Sequence, residues 1–260
     1  MNETALVTGA SSGIGAEFAR QLAARGHDLV LVARSAAPMQ ELAAVLRQTH
    51  GVRVEVITQD LAEPDAAACV LDGLRSRGLK VDLLVNNAGF GTCGRFEEIS
   101  RLRDHEQLMV NVVALTDLTH ALVPPMLKRG RGAVVNVAST AAFQPTAYFA
   151  VYSAAKAFVL NFSLALWTEY RDRGVKVLAL CPGPVQTGFF DVIGTRKAAV
   201  GRMETPEPVV RRALRALDRN QGYVVPGASN FAGAHLQPRR PRKMVAMVSR
   251  LVTRGVLTTS

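Results

Sequence analysis

The stretch Ala5-Leu6-Val7-Thr8-Gly9-Ala10-Ser11-Ser12-Gly13-Ile14-Gly15 decides the reading of this chain. Ala5–Thr8 is a short apolar run of the kind that forms a buried strand. Three glycines follow at once, and Ile14, Phe18 and Leu22 then recur every four residues, so Ile14–Arg25 reads as a helix. Glycine has no Cβ, so such a turn is tight and brings backbone N–H groups close to a bound group. The helix N-terminus adds free N–H groups and a partial positive charge, which suit a pyrophosphate. The spacing is Gly-x-x-x-Gly-x-Gly rather than Gly-x-Gly-x-x-Gly, which taken alone also fits an ordinary glycine-rich turn. Its place between the first strand and the first helix favours a dinucleotide.

Outward from this turn the same alternation continues. Strand candidates are Asp28–Ala33, Arg53–Thr58, Leu83–Asn86, Ala133–Ala138, Lys176–Cys181 and Tyr223–Val225. Helical patterns lie between them at Met39–Thr49, Asp65–Arg77, Arg101–Lys128, Val151–Tyr170 and Pro208–Arg219. Apolar strands alternating with helices imply a parallel sheet covered on both faces. The expectation is an α/β fold, a doubly wound seven-stranded parallel sheet in one domain over residues 1–230, with a basic C-terminal extension over 231–260.

In such a sheet ligands bind beyond the carboxyl ends of the strands. The second strand ends at Arg34-Ser35, with no carboxylate before Glu41. An acid there would hold the ribose hydroxyls of NAD, whereas a guanidinium suits a 2′-phosphate, so Arg34 favours NADP(H) over NAD(H). The third strand leads to Asp60-Leu61, where Asp60 either accepts from the adenine amino group or caps the next helix. The fourth ends Asn86-Asn87-Ala88-Gly89, small and amide residues that let backbone lie against a cofactor. The sixth runs into Pro182-Gly183-Pro184-Val185 at the expected nicotinamide end. Cys181 reads as a small buried filler.

Tyr152 and Lys156 are four residues apart, on one face of a helix, thirteen residues after Ser139. A neighbouring ammonium stabilises a phenolate, so the pair is expected to lower the tyrosine pKa from about 10 and to trade protons near neutral pH. Ser139, at a strand end, could hydrogen-bond the oxygen being protonated.

The chain has 260 residues, 48% of them hydrophobic and 20% charged, in keeping with one globular domain. Three scattered cysteines and five histidines show neither disulfide nor metal spacing, so no metal is expected. No secretory leader is evident and no stretch approaches the ~20 apolar residues of a membrane span. The setting is expected to be cytoplasmic, peripheral to the inner face of the membrane if the tail touches lipid. Residues 1–195 carry 18 basic and 18 acidic side chains, and residues 196–260 carry 13 and 3, so the whole net charge of +10 belongs to the C-terminal quarter.

Taken together, Thr8–Gly15, Asn86–Gly89, Asn111, Ser139, Tyr152/Lys156 and Pro182-Gly183 resemble the short-chain dehydrogenase/reductase family, over roughly residues 4–227. The resemblance implies a Rossmann-type sheet, a homodimer or homotetramer, and hydride transfer between nicotinamide C4 and a carbonyl or alcohol carbon. It also implies roles. Tyr152 is the general acid in reduction and Lys156 tunes it and holds the nicotinamide ribose. Ser139 orients the carbonyl, and Asn111 holds a water in a proton relay. The cofactor set is then Gly9, Ser11, Ser12, Gly13, Ile14, Gly15, Arg34, Asp60, Leu61, Asn87, Ala88, Gly89, Tyr152, Lys156, Pro182, Gly183, Val185 and Thr187, with Thr187 at the carboxamide end.

The segment Gln186–Thr205 reads as a lid, offering Phe189, Phe190, Val192 and Ile193, then Arg196 and Lys197. With Phe90, Phe143, Tyr148 and Phe149 it suits a lipophilic ketone, aldehyde, steroid-like or acyl substrate, unless these residues pack on the core or a second subunit. In the tail, Met244, Met247, Val248, Leu251 and Val252 recur at helical spacing among six Lys and Arg and no acid. Lys243–Leu257 is expected as a basic amphipathic helix outside the catalytic cleft, lying on an anionic membrane or covering a subunit interface. No recognised motif supports nucleic-acid binding. Two alternatives to an enzyme are a non-catalytic NADP sensor or scaffold and a peripheral membrane protein. Retention of all of Asn111, Ser139, Tyr152 and Lys156 argues against the first.

Overall fold

The computed structural model describes residues 2–193, 203–236 and 239–255. Seven parallel strands form one sheet in the order β3-β2-β1-β4-β5-β6-β7. They are β1 Thr4–Thr8, β2 Asp28–Ala33, β3 Val54–Thr58, β4 Leu83–Asn86, β5 Gly132–Val137, β6 Val175–Leu180 and β7 Tyr223–Val224. The order reverses between β1 and β4, so a crevice opens at their carboxyl ends.

Both faces of the sheet are covered, which is why its strands are apolar throughout. Ala5 and Val7 of β1 face one layer with Phe18, Leu22, Met39, Leu46, Val210 and Leu214. These come from α1 Gly13–Ala24, α2 Ala36–His50 and α8 Pro206–Asp218. Leu6 turns the other way, into a layer with Val70, Leu74, Leu118, Leu122 and Met126. That layer is built by α3 Ala66–Ser76 and α5 Leu115–Arg129, with α6 Ala150–Tyr170 completing the same side through Val159 and Leu160.

The single helix expected over Arg101–Lys128 is interrupted. α4 covers Arg101–Leu108, a π-helical turn follows at Met109–Ala114, and α5 then runs to Arg129. Apolar periodicity continues through the turn, so the sequence pattern cannot show it. Such turns concentrate at functional sites, and this one carries Asn111. The helical stretches Arg101–Arg129 and Ala150–Tyr170 do have the length and hydropathy of a membrane span, contrary to expectation. Both pack on the sheet through part of their surface, with 44% of the first apolar stretch and 33% of the second buried. Four short helical pieces among the described residues have no counterpart in the expected pattern: α7 Phe189–Ile193, α9 Ala228–Leu236 and the 3₁₀ turns Phe96–Glu98 and Thr140–Phe143. The tail forms α10, Arg242–Thr253. Residues 256–260, at the end of the helix expected to reach Leu257, lie outside the described residues.

Candidate active site

A cleft of about 1070 Å³ opens over the carboxyl ends of the strands. That is at the upper end for a small-molecule site and leaves room for a dinucleotide and a substrate together. Its wall begins at the glycine turn. Gly9 and Gly13 take left-handed φ values of 65° and 54°, which side chains disfavour. A Cβ on Gly13 would stand 2.8 Å from Thr187 Cγ2, so the loop after β6 closes directly over the first turn. Gly15 lies behind the wall, where a Cβ would overlap the Gly9 carbonyl oxygen. Ser12 precedes α1 without a side-chain cap, and Ser11, Ser12, Gly13 and Ile14 line the cleft. An uncapped helix N-terminus facing a cleft is a cradle for an anion.

Two strand ends are laced together beneath this cradle. Thr8 Oγ1 accepts from the N–H groups of Asn87 and Ala88, each at 3.0 Å, while Asn87 Nδ2 donates to Thr8 O at 2.9 Å. Asn87 therefore also holds β4 to β1. Deeper in the sheet, Asn86 Nδ2 donates to Asn136 Oδ1 at 2.9 Å and Asn136 Nδ2 donates to Ser163 Oγ at 3.0 Å. That buried chain ties α6 to β5 about three turns beyond Tyr152.

At the adenosine end Arg34 and Asp60 line the cleft, with Arg34 Nη1 3.9 Å from Asp60 Oδ2. Asp60 Oδ1 accepts from Ala62 N at 3.0 Å in a local turn, and the next helix starts at Ala66 behind Asp65, so Asp60 does not cap it. Arg34 is 65% exposed along its side chain and is available to a phosphate.

At the other end α6 brings Tyr152 and Lys156 to one side of the cleft, with Lys156 Nζ 5.8 Å from the Tyr152 ring centroid. Lys156 is buried, and Nζ donates to Val137 O at 2.8 Å. Burial lowers it to about 8, with the Cys181 sulfur acting in the other direction. Tyr152 bonds Ser139, yet burial of its hydroxyl dominates and pushes it up to about 12. The expected lowering is thus reversed, because desolvating a phenolate outweighs the hydrogen bond that favours it. The neutral phenol is the form present at pH 7. Ser139 Oγ also accepts from Ala141 N at 3.1 Å, which fixes the hydroxyl at the start of the 3₁₀ turn.

Asn111 is fully inside and does not line the cleft. Its Nδ2 donates to Phe90 O at 2.8 Å and its Oδ1 accepts from Phe90 N at 3.2 Å, so the carboxamide is committed to that backbone. A Cβ on Gly89 would lie 2.5 Å from Asn111 Oδ1 and 3.4 Å from Lys156 Nζ, which puts the three together. Leu61, Ala88, Pro182, Gly183 and Val185 all line the cleft as expected.

Of the aromatic candidates, Phe90, Phe149, Phe189 and Phe190 line the cleft. Phe189 packs on Tyr152 with ring centroids 5.5 Å apart. Phe143 does not line it and packs instead against Tyr223 and His235. Tyr148, at φ 65°, borders a smaller separate pocket. The base of the lid is closed by Gln186 N donating to Glu204 O at 2.8 Å and Glu204 N to Pro184 O at 3.0 Å. Arg196 and Lys197 lie outside the described residues.

The tail departs most from expectation. α10 lies in the cleft wall, where Met244, Val245, Val248 and Val252 supply lining. Sequence reasoning missed these, and with them Leu236, Arg240 and Arg103. Arg103 was legible only as one charge in an amphipathic helix, but its guanidinium stacks 4.0 Å over the Phe90 ring.

The short chain dehydrogenase family model matches residues 3–198. A human very-long-chain 3-oxoacyl-CoA reductase is 30% identical over 86% of this chain and 72% of its own. Among solved structures, a short-chain dehydrogenase from Sphingobium yanoikuyae in complex with NADPH superposes with a TM-score of 0.82 at 36% identity, covering 88% of this chain and 90% of the other. A bulky-bulky ketone specific alcohol dehydrogenase from Comamonas testosteroni gives 0.77 at 33% identity, over 92% and 95%.

Proposed function

This chain belongs to the short-chain dehydrogenase/reductase family, and from that we propose that it reduces a lipophilic carbonyl with NADPH, Tyr152 giving the proton. It is an NADP(H)-dependent oxidoreductase by kinship; the substrate class, the direction and the residue roles are our reading. The observation that carries it is the geometry of the site, where Tyr152 bonds Ser139 in the cleft wall with buried Lys156 Nζ 5.8 Å from its ring.

The bound nicotinamide supplies the hydride. The glycine turn and the start of α1 would hold the pyrophosphate, Arg34 the 2′-phosphate and Lys156 the nicotinamide ribose. Ser139 orients the carbonyl oxygen beside the Tyr152 hydroxyl, which donates its proton as charge develops there. At pH 7 Lys156 is about ten to one in its charged form, given its value of about 8. That charge stabilises the phenolate left behind. Asn111, clamped to Phe90, fixes the wall against Gly89 and Lys156. Phe149, Phe189, Phe190 and the α10 side chains exclude water from the carbonyl and favour apolar substituents. Relatives include a protein described as acting on very-long-chain 3-oxoacyl-CoA and one described as a 17-beta-hydroxysteroid dehydrogenase. Both descriptions support a large apolar substrate.

Leu102, Leu108, Val113 and Phe158 are exposed on α4, the π turn and α6. Exposed apolar side chains of this kind support self-association as a homodimer or homotetramer.

Consumption of NADPH against a panel of carbonyls tests the reading. Bulky ketones should be turned over, and Tyr152→Phe should bind NADPH normally while losing about 10²-fold or more in turnover. Near-full activity in Tyr152→Phe, with any good substrate, overturns the assignment of the proton donor.

A further inference from the structure

α10 is amphipathic in the reverse of the usual sense. Its buried positions are Val245, Ser249 and Thr253, four residues apart on one face. Two of these three are hydroxyl residues. Ser249 Oγ accepts from Ala147 N at 3.2 Å and Thr253 Oγ1 donates to Ala147 O at 3.1 Å. The helix is therefore fastened by polar bonds to one residue in the loop that precedes Tyr152. Its large apolar side chains point the other way. Met247 is 70% exposed and Leu251 71%, with Met244, Val248 and Val252 beside them on a continuous stripe. Apolar side chains normally take the core-facing stripe of a surface helix, so an outward stripe of this length marks a surface that is covered in use.

The charges around the stripe identify what covers it. Arg239, Arg240, Arg242, Lys243, Arg250 and Arg254 are all exposed. No Asp or Glu occurs anywhere in residues 219–260. A second copy of this chain meeting the same face about a two-fold axis would set these cations against themselves, with no acid in residues 219–260 to offset them. An anionic lipid surface offers what both features need, acyl chains for the stripe and phosphates for the rim.

The stripe also continues into the cleft. Met244, Val248 and Val252 are exposed at the surface and line the cleft as well. We propose that α10 docks the protein on an anionic bilayer with the mouth of the substrate cleft opening onto the lipid, so that a carbonyl substrate enters from the membrane. This deepens the lipophilic-substrate reading and rests on it for what passes through the mouth; the docking itself does not need it.

The full-length protein is tested by co-sedimentation with phosphatidylglycerol vesicles and with phosphatidylcholine vesicles. Binding is expected to the anionic vesicles only, and to be lost at about 1 M salt, where screening acts within about 3 Å. Met247→Asp/Leu251→Asp should weaken that binding by about tenfold or more. Neither residue lines the cleft, so turnover of a ketone dissolved in buffer should be unchanged, while turnover of a long-chain ketone held in vesicles should fall about tenfold with the binding. Arg242→Glu/Lys243→Glu is a second variant. Acids at the start of α10 favour the helix, and an unchanged circular dichroism spectrum and thermal midpoint separate lost vesicle binding from lost structure. Wild-type protein that ignores anionic vesicles, or double variants that bind like wild type, overturn the proposal. So does an equal loss of turnover on dissolved and vesicle-held ketone. Failure to reduce any carbonyl sinks the functional reading and leaves the sedimentation result to decide the docking.

Discussion

At the scale of single residues, the informative side chains are those whose ionisation the fold alters. Lys156 loses its proton as pH rises through about 8. A neutral amine no longer stabilises the phenolate, so kcat/KM for reduction should decline above that pH while Tyr152, at about 12, stays protonated. The limb near pH 8 should be missing from Lys156→Ala, whose residual rate should be low and flat. A wild-type profile level through pH 9 counts against a charged Lys156 in the mechanism. Arg34 sits at the far end with 65% of its side chain exposed. Arg34→Asp replaces a phosphate-binding cation with a repelling anion. The NADPH dissociation constant should rise about ten- to a hundredfold, the scale of a lost charged hydrogen bond, with NADH binding unchanged or improved. Fluorescence titration with both cofactors decides it, and tighter NADH than NADPH binding on the wild type refutes the preference.

At the scale of elements, the first turn and α1 are one construction. Gly15 belongs to α1 yet touches the Gly9 carbonyl and Asn87, so the helix can approach the turn only because position 15 has no side chain. Gly15→Ala should lower stability by roughly 1–3 kcal/mol, as overpacking does, and weaken NADPH binding as the cradle shifts. Thermal unfolding and cofactor titration on one preparation would show both, and a variant as stable as wild type would falsify this packing. The strand ends and the glycine turn were legible because their signals are local. A run of Val and Leu followed by Gly or Asn reports a buried strand and its turn wherever it packs. The π turn at Met109–Ala114 was not legible, since one extra residue in a helical ladder leaves the apolar pattern almost intact. Phe143 follows the strand end at Ser139 closely in sequence, which makes it a substrate candidate. The 3₁₀ turn rotates it away, onto Tyr223 and His235.

At the scale of the whole molecule, the cleft has two unequal ends. The cofactor end is built at the ends of β1, β2, β3 and β4 and in the loop after β6, all within the first 187 residues. The substrate end borrows α9 and α10 from the tail. Truncation after Leu236 removes α10 and its two bonds to Ala147. NADPH affinity should stay within about twofold, while KM for a bulky ketone should rise about tenfold as an apolar wall is lost. Isothermal titration for the cofactor and steady-state kinetics for the ketone separate the two. An unchanged KM would show that α10 lines the cleft without serving the substrate.

The amino-acid sequence by itself determined the succession of the seven strands and the long helices between most of them, the dinucleotide turn, and the Tyr152–Lys156 pair with Ser139. These depend on local periodicity, on what glycine permits, and on residues one helical turn apart. Only the tertiary structure decided three further things. It set the sign of the Tyr152 shift, because burial of the hydroxyl is a property of everything packed around it. It placed Asn111 behind the cleft wall, where Phe90 N and O engage both ends of its carboxamide. It also brought α10 to the substrate, with its hydroxyls inward and its apolar stripe outward. An amphipathic pattern says that a helix has two faces, and only its contacts say which of them the protein keeps.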